Sequence, residues 1–491
     1  MKIHQMTIEE IQQAYKQGSL RVKDVVEAYF KRIDRLEDKV GAFITLCRES
    51  ALKQAEEMDA RLAGGEDLGP LGGIPVAVKD NICTRGIRTT CASRMLEDFV
   101  PPYDATVVQK LKDAGAIILG KTNMDEFSMG SSTETSAVKI TRNPWDLNKV
   151  PGGSSGGSAA AVGAGFAPLA IGSDTGGSVR QPAAFCGAVG LKPTFGRVSR
   201  YGLIALAASL DHIGPMTKTV KDCALAFQVL EGYDPQDSTS LQLQADENWM
   251  KDMDKGVQGL KIGVPKECFQ QGLDDEIADS IAESIRLFEK MGAVVEELSL
   301  PVLDFGLSTY YIISSAEASS SLARYDGILY GYRSENFGDV DELIVNSRSE
   351  AFGKEVKRRI MLGTFVLSSG YYDAYYKKAM LLRKKIRGAF RELLQDYDML
   401  LMPVSPVLPF GIGEKGKDPL DMYMSDTCTV AMNIAGVPAL SLLCGFSKSG
   451  LPIGLQLVGD HFGESKLFRA AYSLERELGI SDREPFLEEV E

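Results

Sequence analysis

The sequence has fewer basic than acidic residues, few histidines and no long apolar run. Its 491 residues carry 54 lysines and arginines against 67 aspartates and glutamates, which gives a formal net charge of −13. That excess of acid argues against a chain whose main task is to grip a nucleic-acid backbone. No run approaches the ~20 apolar residues that a membrane helix needs, and the N-terminal segment MKIHQMTIEEIQQAY lacks the apolar stretch of a secretory signal. These absences predict a cytoplasmic protein that does not enter a membrane.

The eight cysteines are scattered along the chain, and no two of them form a CxxC pair. This distribution argues against a zinc ribbon, a thioredoxin-like redox site and a dense disulfide framework. We therefore expect free thiols, a reducing compartment and no metal site. The composition, 44% hydrophobic and 25% charged, excludes a disordered, collagenous or coiled-coil chain and is sufficient for a large core. Length alone would allow roughly three domains of ~150 residues.

Histidine occurs only three times, at His4, His212 and His461. A Ser-His-Asp triad is therefore possible but unsupported, because none of the three lies near a serine-rich motif in the sequence. His212 is the best candidate base, yet its apolar neighbours favour a packed, hydrogen-bonded histidine. If the chain has a catalytic serine, a residue other than histidine is the better candidate for its general base.

Apolar periodicity predicts helices and strands in alternation. Thr7 and Glu10 have the spacing of a capping box, and helical apolar stripes follow over 8–15 and 22–36. The β-branched run at 74–78, bounded by glycines, predicts a buried strand that leads into Lys79. Further helices are predicted at 50–62, 105–114, 159–170, 275–291, 379–394 and 464–478, and further strands at 116–119, 260–264, 293–295, 399–402, 439–443 and 453–458. This order predicts an α/β sheet covered by helices on both faces, with the polar segment 234–256 on the surface.

One short motif is misleading. Residues 115–122, GAIILGKT, fit the phosphate-binding pattern GxxxxGK[ST]. The mechanism behind that pattern needs a strand before the first glycine and a loop of free N–H groups after it. Here a helix precedes Gly115, and the middle of the motif is an apolar strand, with a loop expected from Lys121 onward. We therefore expect no ATP binding at this segment.

Two clusters of glycine and serine lie close together in the sequence, at 152–158 and 172–178. Glycines before a serine let the backbone turn sharply and direct several N–H groups at one point, as an oxyanion site requires. Flexible loops have the same composition, so either cluster alone is weak evidence. A buried lysine is a usable base for a serine, because burial disfavours its charged form. Lys79, directly after an apolar strand, is the candidate, although a strand-end lysine that reaches solvent fits the same pattern.

Together these segments resemble the amidase signature family. The resemblance is carried by residues 71–81, 151–158 and 172–181. Within the family, the chain most resembles the amidase subunits of tRNA-dependent amidotransferases. That closer likeness is carried by 124–131, 197–202, 358–363 and 371–376. The match spans nearly the whole chain. It implies an α/β amidase-signature fold, a large mixed sheet covered by helices, in a single domain over 1–491. We divide that domain into an N-terminal helical segment (1–65), a signature core (66–230) and the remainder with the substrate pocket (231–491).

The resemblance also implies the catalytic residues. Ser178 is the implied nucleophile, Lys79 the neutral base and Ser154 the proton shuttle between them, with a cis peptide bond between Gly153 and Ser154. The implied oxyanion hole consists of the N–H groups of Thr175, Gly176, Gly177 and Ser178. Attack on an amide through this triad would release ammonia, leave an ester on Ser178 and end with its hydrolysis.

The implied substrate is glutamine, whose α-carboxylate and α-ammonium call for one fixed cation and one fixed anion. The resemblance assigns the carboxylate to Arg359 and the ammonium to Asp426, with Tyr310 and Gly130 lining the pocket. Arg358 is the alternative to Arg359, and a solvated helix face is the simpler interpretation of the arginine pair.

The same resemblance implies two partner subunits, one of which binds tRNA and uses ATP and Mg²⁺, so that this chain needs no cofactor of its own. The acidic charge balance fits a chain that leaves tRNA contact to a partner. The alternatives are a free-standing amidase with the same triad, an ATP-binding protein that uses 115–122, and an inactive scaffold.

Overall fold

The computed structural model describes residues 2–242, 250–269, 272–415 and 418–487. Within these residues it contains eleven strands and fifteen α-helices. The strands are β1 (Phe43–Leu46), β2 (Pro75–Lys79), β3 (Ile117–Thr122), β4 (Leu169–Asp174), β5 (Val189–Lys192), β6 (His212–Thr217), β7 (Lys261–Pro265), β8 (Val294–Leu298), β9 (Met399–Pro403), β10 (Ala439–Phe446) and β11 (Pro452–Gly459).

The helices lie between and after these strands. They are α1 (Ile8–Lys16), α2 (Val22–Val40), α3 (Arg48–Ala63), α4 (Thr106–Asp113), α5 (Gly156–Gly163), α6 (Arg180–Phe185), α7 (Val220–Leu230), α8 (Asp275–Lys290), α9 (Gly306–Ser321), α10 (Val340–Ala351), α11 (Lys354–Leu367), α12 (Lys377–Leu393), α13 (Pro419–Met424), α14 (Val430–Ala435) and α15 (Glu464–Leu478). A short π-helix, Tyr372–Tyr376, precedes α12. No described helix is both long and apolar enough to cross a membrane.

All eleven strands form one mixed sheet in the order β1-β3-β2-β4-β6-β5-β10-β11-β9-β7-β8. Strand β2 is parallel to both of its neighbours, β3 and β4, and all five of its residues are buried. A strand buried on both faces favours a continuous run of apolar, often β-branched residues, and the sequence of β2 has this pattern up to Lys79. Helices flank the sheet, and the expected fold class is confirmed. Its strands come from all three of the segments defined from the sequence.

Most predicted elements begin and end within a few residues of the observed ones, but one helix does not. The helix expected over 159–170 ends at Gly163, and Leu169 already lies in β4. A turn through Gly165, with φ +67°, separates the two elements, and composition alone does not reveal the switch because both are small and apolar. The segment expected on the surface is mostly exposed or half-buried where it is described, although a few of its residues are buried, among them Asp234, which accepts a hydrogen bond from Ser199 at 2.6 Å. Residues 243–249 of that segment lie outside the described residues.

The phosphate-loop look-alike is part of the sheet. Strand β3 pairs with β1 on one side and β2 on the other, so its N–H groups serve the sheet. The expected loop from Lys121 is wrong, because β3 runs on to Thr122. Lys121 is fully buried, and its amine donates to the Ile82 carbonyl at 2.6 Å and to Thr89 Oγ1 at 2.7 Å. The segment therefore has neither the free N–H groups nor the free lysine that a phosphate would need.

Candidate active site

The candidate site lies at the carboxyl ends of two parallel neighbours, β2 and β4, a position at which open α/β sheets commonly bind ligands. Strand β2 ends at Lys79, and β4 ends at Asp174 just before the second glycine-serine cluster. Because Val78 pairs with Ile171 across these strands, the Lys79 side chain reaches Ser173. The first cluster, at the start of α5, packs against the same point.

Three serine hydroxyls surround the Lys79 amine. Lys79 Nζ lies 2.8 Å from Ser154 Oγ, 2.8 Å from Ser155 Oγ and 2.9 Å from Ser173 Oγ. The side chain is completely buried. Burial lowers the pKa of Lys79 to about 7, against the opposing effect of nearby carboxylates, of which Asp125 is the largest. A large fraction of this lysine is therefore neutral near pH 7.

The hydrogen bonds around Lys79 indicate which serine is able to give it a proton. Ser155 Oγ donates to the Ser173 carbonyl at 3.0 Å, so towards the amine it acts as an acceptor. Ser173 Oγ already accepts from Asn81 Nδ2 at 2.9 Å and lies where the second N–H of the amine is able to donate. A neutral amine has two N–H donors and one lone pair. With both donors directed at Ser155 and Ser173, the lone pair is left for the hydroxyl of Ser154.

Ser178 lies in the turn between β4 and α6. In the continuous stretch 166–186 it is the only residue that is not buried. The Ser155 N–H donates to the Ser178 carbonyl at 3.2 Å, which joins the nucleophile turn to the residues around Lys79. This arrangement leaves the predicted nucleophile accessible, while the predicted base, Lys79, is shielded from water.

The nucleophile turn is built around a buried ion pair. Arg180 donates from Nε and Nη2 to the two oxygens of Asp174, each at 3.1 Å, and both side chains are fully buried. Burial alone would raise the pKa of Asp174, but Arg180 holds it below its ordinary value. The guanidinium also donates to the oxygens of three residues distant in the sequence, which are the Thr429 carbonyl, Asn433 Oδ1 and Gln456 Oε1. Residues far along the chain therefore order this turn.

The predicted oxyanion donors are not equivalent. The Gly177 N–H donates to Asp174 Oδ1 at 2.9 Å, so it already has a partner. Among the described residues, no acceptor is recorded for the N–H groups of Thr175, Gly176 and Ser178. The turn thus presents three available donors rather than four, and Gly177 serves the turn itself.

Asp125 contacts the first cluster directly, because its backbone N–H donates to the Ser154 carbonyl at 3.2 Å. As the resemblance implies, the peptide bond between Gly153 and Ser154 is cis. The Gly153 N–H donates to Gln181 Oε1 at 2.9 Å, and Asp125 accepts from the Thr133 N–H at 2.9 Å. A Cβ atom on Gly153 would overlap Asp125 Oδ2 and come within 2.6 Å of the Ser132 nitrogen. Only glycine fits at this position.

A cavity of about 370 Å³ carries part of the predicted glutamine pocket. Gly130, Glu355, Arg358, Arg359 and Tyr423 are among its lining residues. Arg359 is 3% exposed and its Nε donates to Glu355 Oε1 at 2.9 Å, whereas the Arg358 side chain is 47% exposed. No partner is recorded among the described residues for the terminal nitrogens of Arg359. A buried guanidinium with its outer edge free makes Arg359 the better carboxylate ligand of the two.

Two predicted pocket residues, Asp426 and Tyr310, are not among the residues lining this cavity. Asp426 Oδ2 accepts from Tyr311 Oη at 2.7 Å and from Ser131 Oγ at 3.0 Å, and burial raises the pKa of Asp426 to about 6. Ser131 lies between two lining residues, so Asp426 adjoins the cavity. Tyr310 instead packs on the nucleophile turn, since a Cβ on Gly176 would lie 2.5 Å from Tyr310 Cζ.

Several site residues have no role in the prediction from sequence. The unassigned residues are Asn81, Ser155, Ser173, Tyr311, Glu355 and Tyr423. Ser155 and Ser173 lie inside the two glycine-serine clusters. The sequence therefore indicated their neighbourhood of the site but not their contacts with Lys79. Glu355 precedes Arg359 by one helical turn, a spacing that brings an acid and a base together. No motif or spacing in the sequence indicated a role for Tyr311 or Tyr423.

Residues 24–468 match a protein-family model described as Amidase. The chain belongs to the amidase family. This confirms the family that the motifs predicted, and the amidase fold agrees with the mixed sheet described above.

Individual amidases resemble the chain over its whole length. It is 67% identical over 490 residues to the A subunit of glutamyl-tRNA(Gln) amidotransferase from Alkaliphilus metalliredigens, with both chains fully covered. The crystal structure of the subunit of the same name from Thermotoga maritima is 43% identical, with a TM-score of 0.83 over 100% of this chain and 99% of that one. A bacterial aryl acylamidase of the amidase signature family is 26% identical, with a TM-score of 0.84 over 99% of this chain and 100% of the other.

Proposed function

We propose that this chain is the amidase subunit of a tRNA-dependent amidotransferase, in which it hydrolyses glutamine and supplies ammonia for converting Glu-tRNA(Gln) to Gln-tRNA(Gln). The observation that carries the proposal is the buried Lys79 amine against Ser154, together with a cavity that buried Arg359 lines and that Asp426 adjoins through Ser131. The names and high identity of the full-length relatives support the choice of this complex.

In the proposed reaction, Ser178 Oγ attacks the side-chain carbonyl carbon of glutamine. Its proton passes to Ser154, whose own proton passes to the lone pair of Lys79. The oxyanion accepts from the free N–H groups of the nucleophile turn. Collapse returns the proton to the leaving nitrogen, ammonia departs, and a γ-glutamyl ester remains on Ser178. Water then gives a proton to the same relay as it attacks the ester carbonyl carbon, the bond between that carbon and Ser178 Oγ breaks, the relay returns the proton to Oγ, and glutamate is released.

The proposed pocket holds the two charges of the substrate head group. Arg359 pairs with the α-carboxylate and Asp426 with the α-ammonium, with Gly130 lining the site and Tyr310 placed against the nucleophile turn. In this proposal the chain releases ammonia from glutamine, and the later steps on tRNA belong to a partner subunit. Two partner subunits would complete a cytoplasmic complex, one of them binding tRNA and using ATP and Mg²⁺.

The test is glutamate release from glutamine by the purified chain, alone and co-expressed with the two partner subunits. We expect Ser178→Ala to abolish release and Lys79→Ala to do nearly the same at neutral pH. Asp426→Ala should raise KM for glutamine much more than KM for butyramide. Normal hydrolysis by Lys79→Ala would disprove the Ser-Lys mechanism, and equal effects on the two substrates would remove Asp426 from the ammonium site.

A free-standing amidase is the second candidate, favoured by the fold shared with the aryl acylamidase. Such an enzyme would be fully active without partners and would prefer uncharged amides. Full activity of the chain alone, with butyramide preferred over glutamine, would select this candidate.

A further inference from the structure

Two tyrosines stack beside the cavity. The rings of Tyr311, on α9, and Tyr423, on α13, have centroids 4.0 Å apart and an interplanar angle of 27°. Tyr311 is buried, while Tyr423 lines the cavity. Each ring carries a hydroxyl, and the two hydroxyls end on different acids.

The first hydroxyl belongs to the anionic side of the pocket. Tyr311 Oη donates to Asp426 Oδ2 at 2.7 Å, and Ser131 Oγ donates to the same oxygen at 3.0 Å. With two donors on Oδ2, the orientation of the carboxylate is fixed and Oδ1 is the oxygen left for a ligand.

The second hydroxyl belongs to the cationic side. Tyr423 Oη donates to Glu355 Oε1 at 2.7 Å, and Arg359 Nε donates to the same oxygen at 2.9 Å. The Arg359 guanidinium carbon also lies 5.0 Å from the centre of the Tyr311 ring and 5.4 Å from that of Tyr423. A guanidinium held at one edge by an acid and close to two aromatic rings has little freedom to turn.

These contacts form one continuous chain from Asp426 through Tyr311, Tyr423 and Glu355 to Arg359. We propose that the stacked Tyr311–Tyr423 pair is the specificity determinant that holds Asp426 and Arg359 at the spacing of an α-ammonium and an α-carboxylate, and so selects amides of α-amino acids over simple amides. This inference rests on the proposed function for the identity of the two charge ligands. The two tyrosines act as positioning residues, since their hydroxyls reach the acids and not the reacting amide.

Removal of each hydroxyl should affect a different part of substrate recognition, because Tyr311 donates to Asp426 and Tyr423 donates to Glu355. A purely structural stack would change every substrate alike when a hydroxyl is removed. Here Tyr311→Phe should weaken recognition of the ammonium, and Tyr423→Phe should weaken recognition of the carboxylate through Glu355 and Arg359.

The experiment uses four amides that share one reacting group. They are glutamine, glutaramate (glutamine without the ammonium), 4-aminobutanamide (glutamine without the carboxylate) and butyramide (without either). We expect Tyr311→Phe to raise KM about tenfold for glutamine and 4-aminobutanamide only, and Tyr423→Phe to raise it about tenfold for glutamine and glutaramate only, with kcat within about twofold throughout. Calorimetric binding of the same four amides to each variant in a Ser178→Ala background measures recognition without turnover.

Tyr29→Phe is the matched control. Tyr29 is fully buried in α2, and its hydroxyl has no hydrogen-bond partner among the described residues, so KM and kcat should stay unchanged. Equal effects of the Tyr311 and Tyr423 variants on all four amides, or no effect on any, would overturn the inference. If the wild-type chain with its partners favours butyramide over glutamine, the proposed function itself fails, whatever the variants do.

Discussion

Lys79 Nζ lies 2.8 Å from Ser154 Oγ in an environment from which water is excluded, and two further serines take up the N–H groups of the amine. The proton of Ser154 is consequently the one directed at the lone pair. In the proposed reaction, these contacts give Lys79 its orientation and a single proton donor, while burial favours its neutral form.

The first prediction concerns pH. Burial lowers the pKa of Lys79 to about 7, and only the neutral amine accepts a proton, so kcat/KM for butyramide should rise tenfold per pH unit below 7 and level off above it. A simple amide isolates Lys79 because it does not need Asp426. The measurement is the rate of ammonia release between pH 5 and 9, and a flat profile across pH 6 to 8 would contradict the assignment.

The second prediction tests the oxygen cage around the amine. Ser173→Ala removes an acceptor that favours the charged lysine, so the midpoint of the pH profile should move to lower pH while kcat falls about tenfold through lost orientation. Ser158→Ala is the control, because Ser158 is buried nearby and bonds to Thr122 and the Ile171 carbonyl instead of to Lys79. A midpoint that does not move in Ser173→Ala would show that Ser173 does not hold the amine.

The third prediction concerns the fit between Gly153 and Asp125. Gly153→Ala should destabilise the protein by at least about 2 kcal/mol and abolish activity, because the new methyl overlaps a carboxylate and crowds the Ser132 nitrogen. Gly388→Ala on α12 is the control, since a Cβ there meets nothing within 4 Å and alanine favours helix by up to about 1 kcal/mol. Urea unfolding measures both, and equal stability of the two variants would contradict the predicted clash.

The fourth prediction concerns the thiols. All eight cysteines are free, and among them only Cys47 and Cys268 are partly exposed. Burial also raises the pKa of Cys47 to about 11 and that of Cys428 to about 12, which suppresses the reactive thiolate. A thiol-specific colour reagent at pH 8 should therefore label at most two cysteines slowly in the native protein and all eight in guanidinium. Rapid labelling of three or more native thiols would contradict the described burial.

Much of the fold could be predicted from the sequence, because the spacing of apolar residues that indicates a helix or a strand lies within one short segment. The buried strand at 75–79 and the helix at 464–478 each follow from apolar spacing within one segment. The switch from α5 to β4 was missed, since small apolar residues serve a tight helix and a central strand equally well. Tertiary position, not propensity, separates them.

The site was predictable where it lies inside a motif, and less so where it depends on pairs of distant residues. Lys79, Ser154 and Ser178 came from contiguous segments that resemble a family. The stack of Tyr311 on Tyr423 and the contact of Arg180 with Asn433 join segments more than 100 residues apart, and no local pattern encodes them. The engagement of Gly177 by Asp174 is likewise a property of the folded turn.

The contacts of buried Arg180 bear on whether the segment with the predicted catalytic residues could be separated from the rest of the chain. All three implied catalytic residues fall within 66–230, which suggests a separable module, yet three oxygens that satisfy Arg180 come from residues 429, 433 and 456. A fragment ending at residue 230 would keep the catalytic residues and leave a buried cation short of partners, a costly arrangement. A shortened or redesigned form of the chain must therefore keep the contacts at those three positions, because they order the turn that carries Ser178.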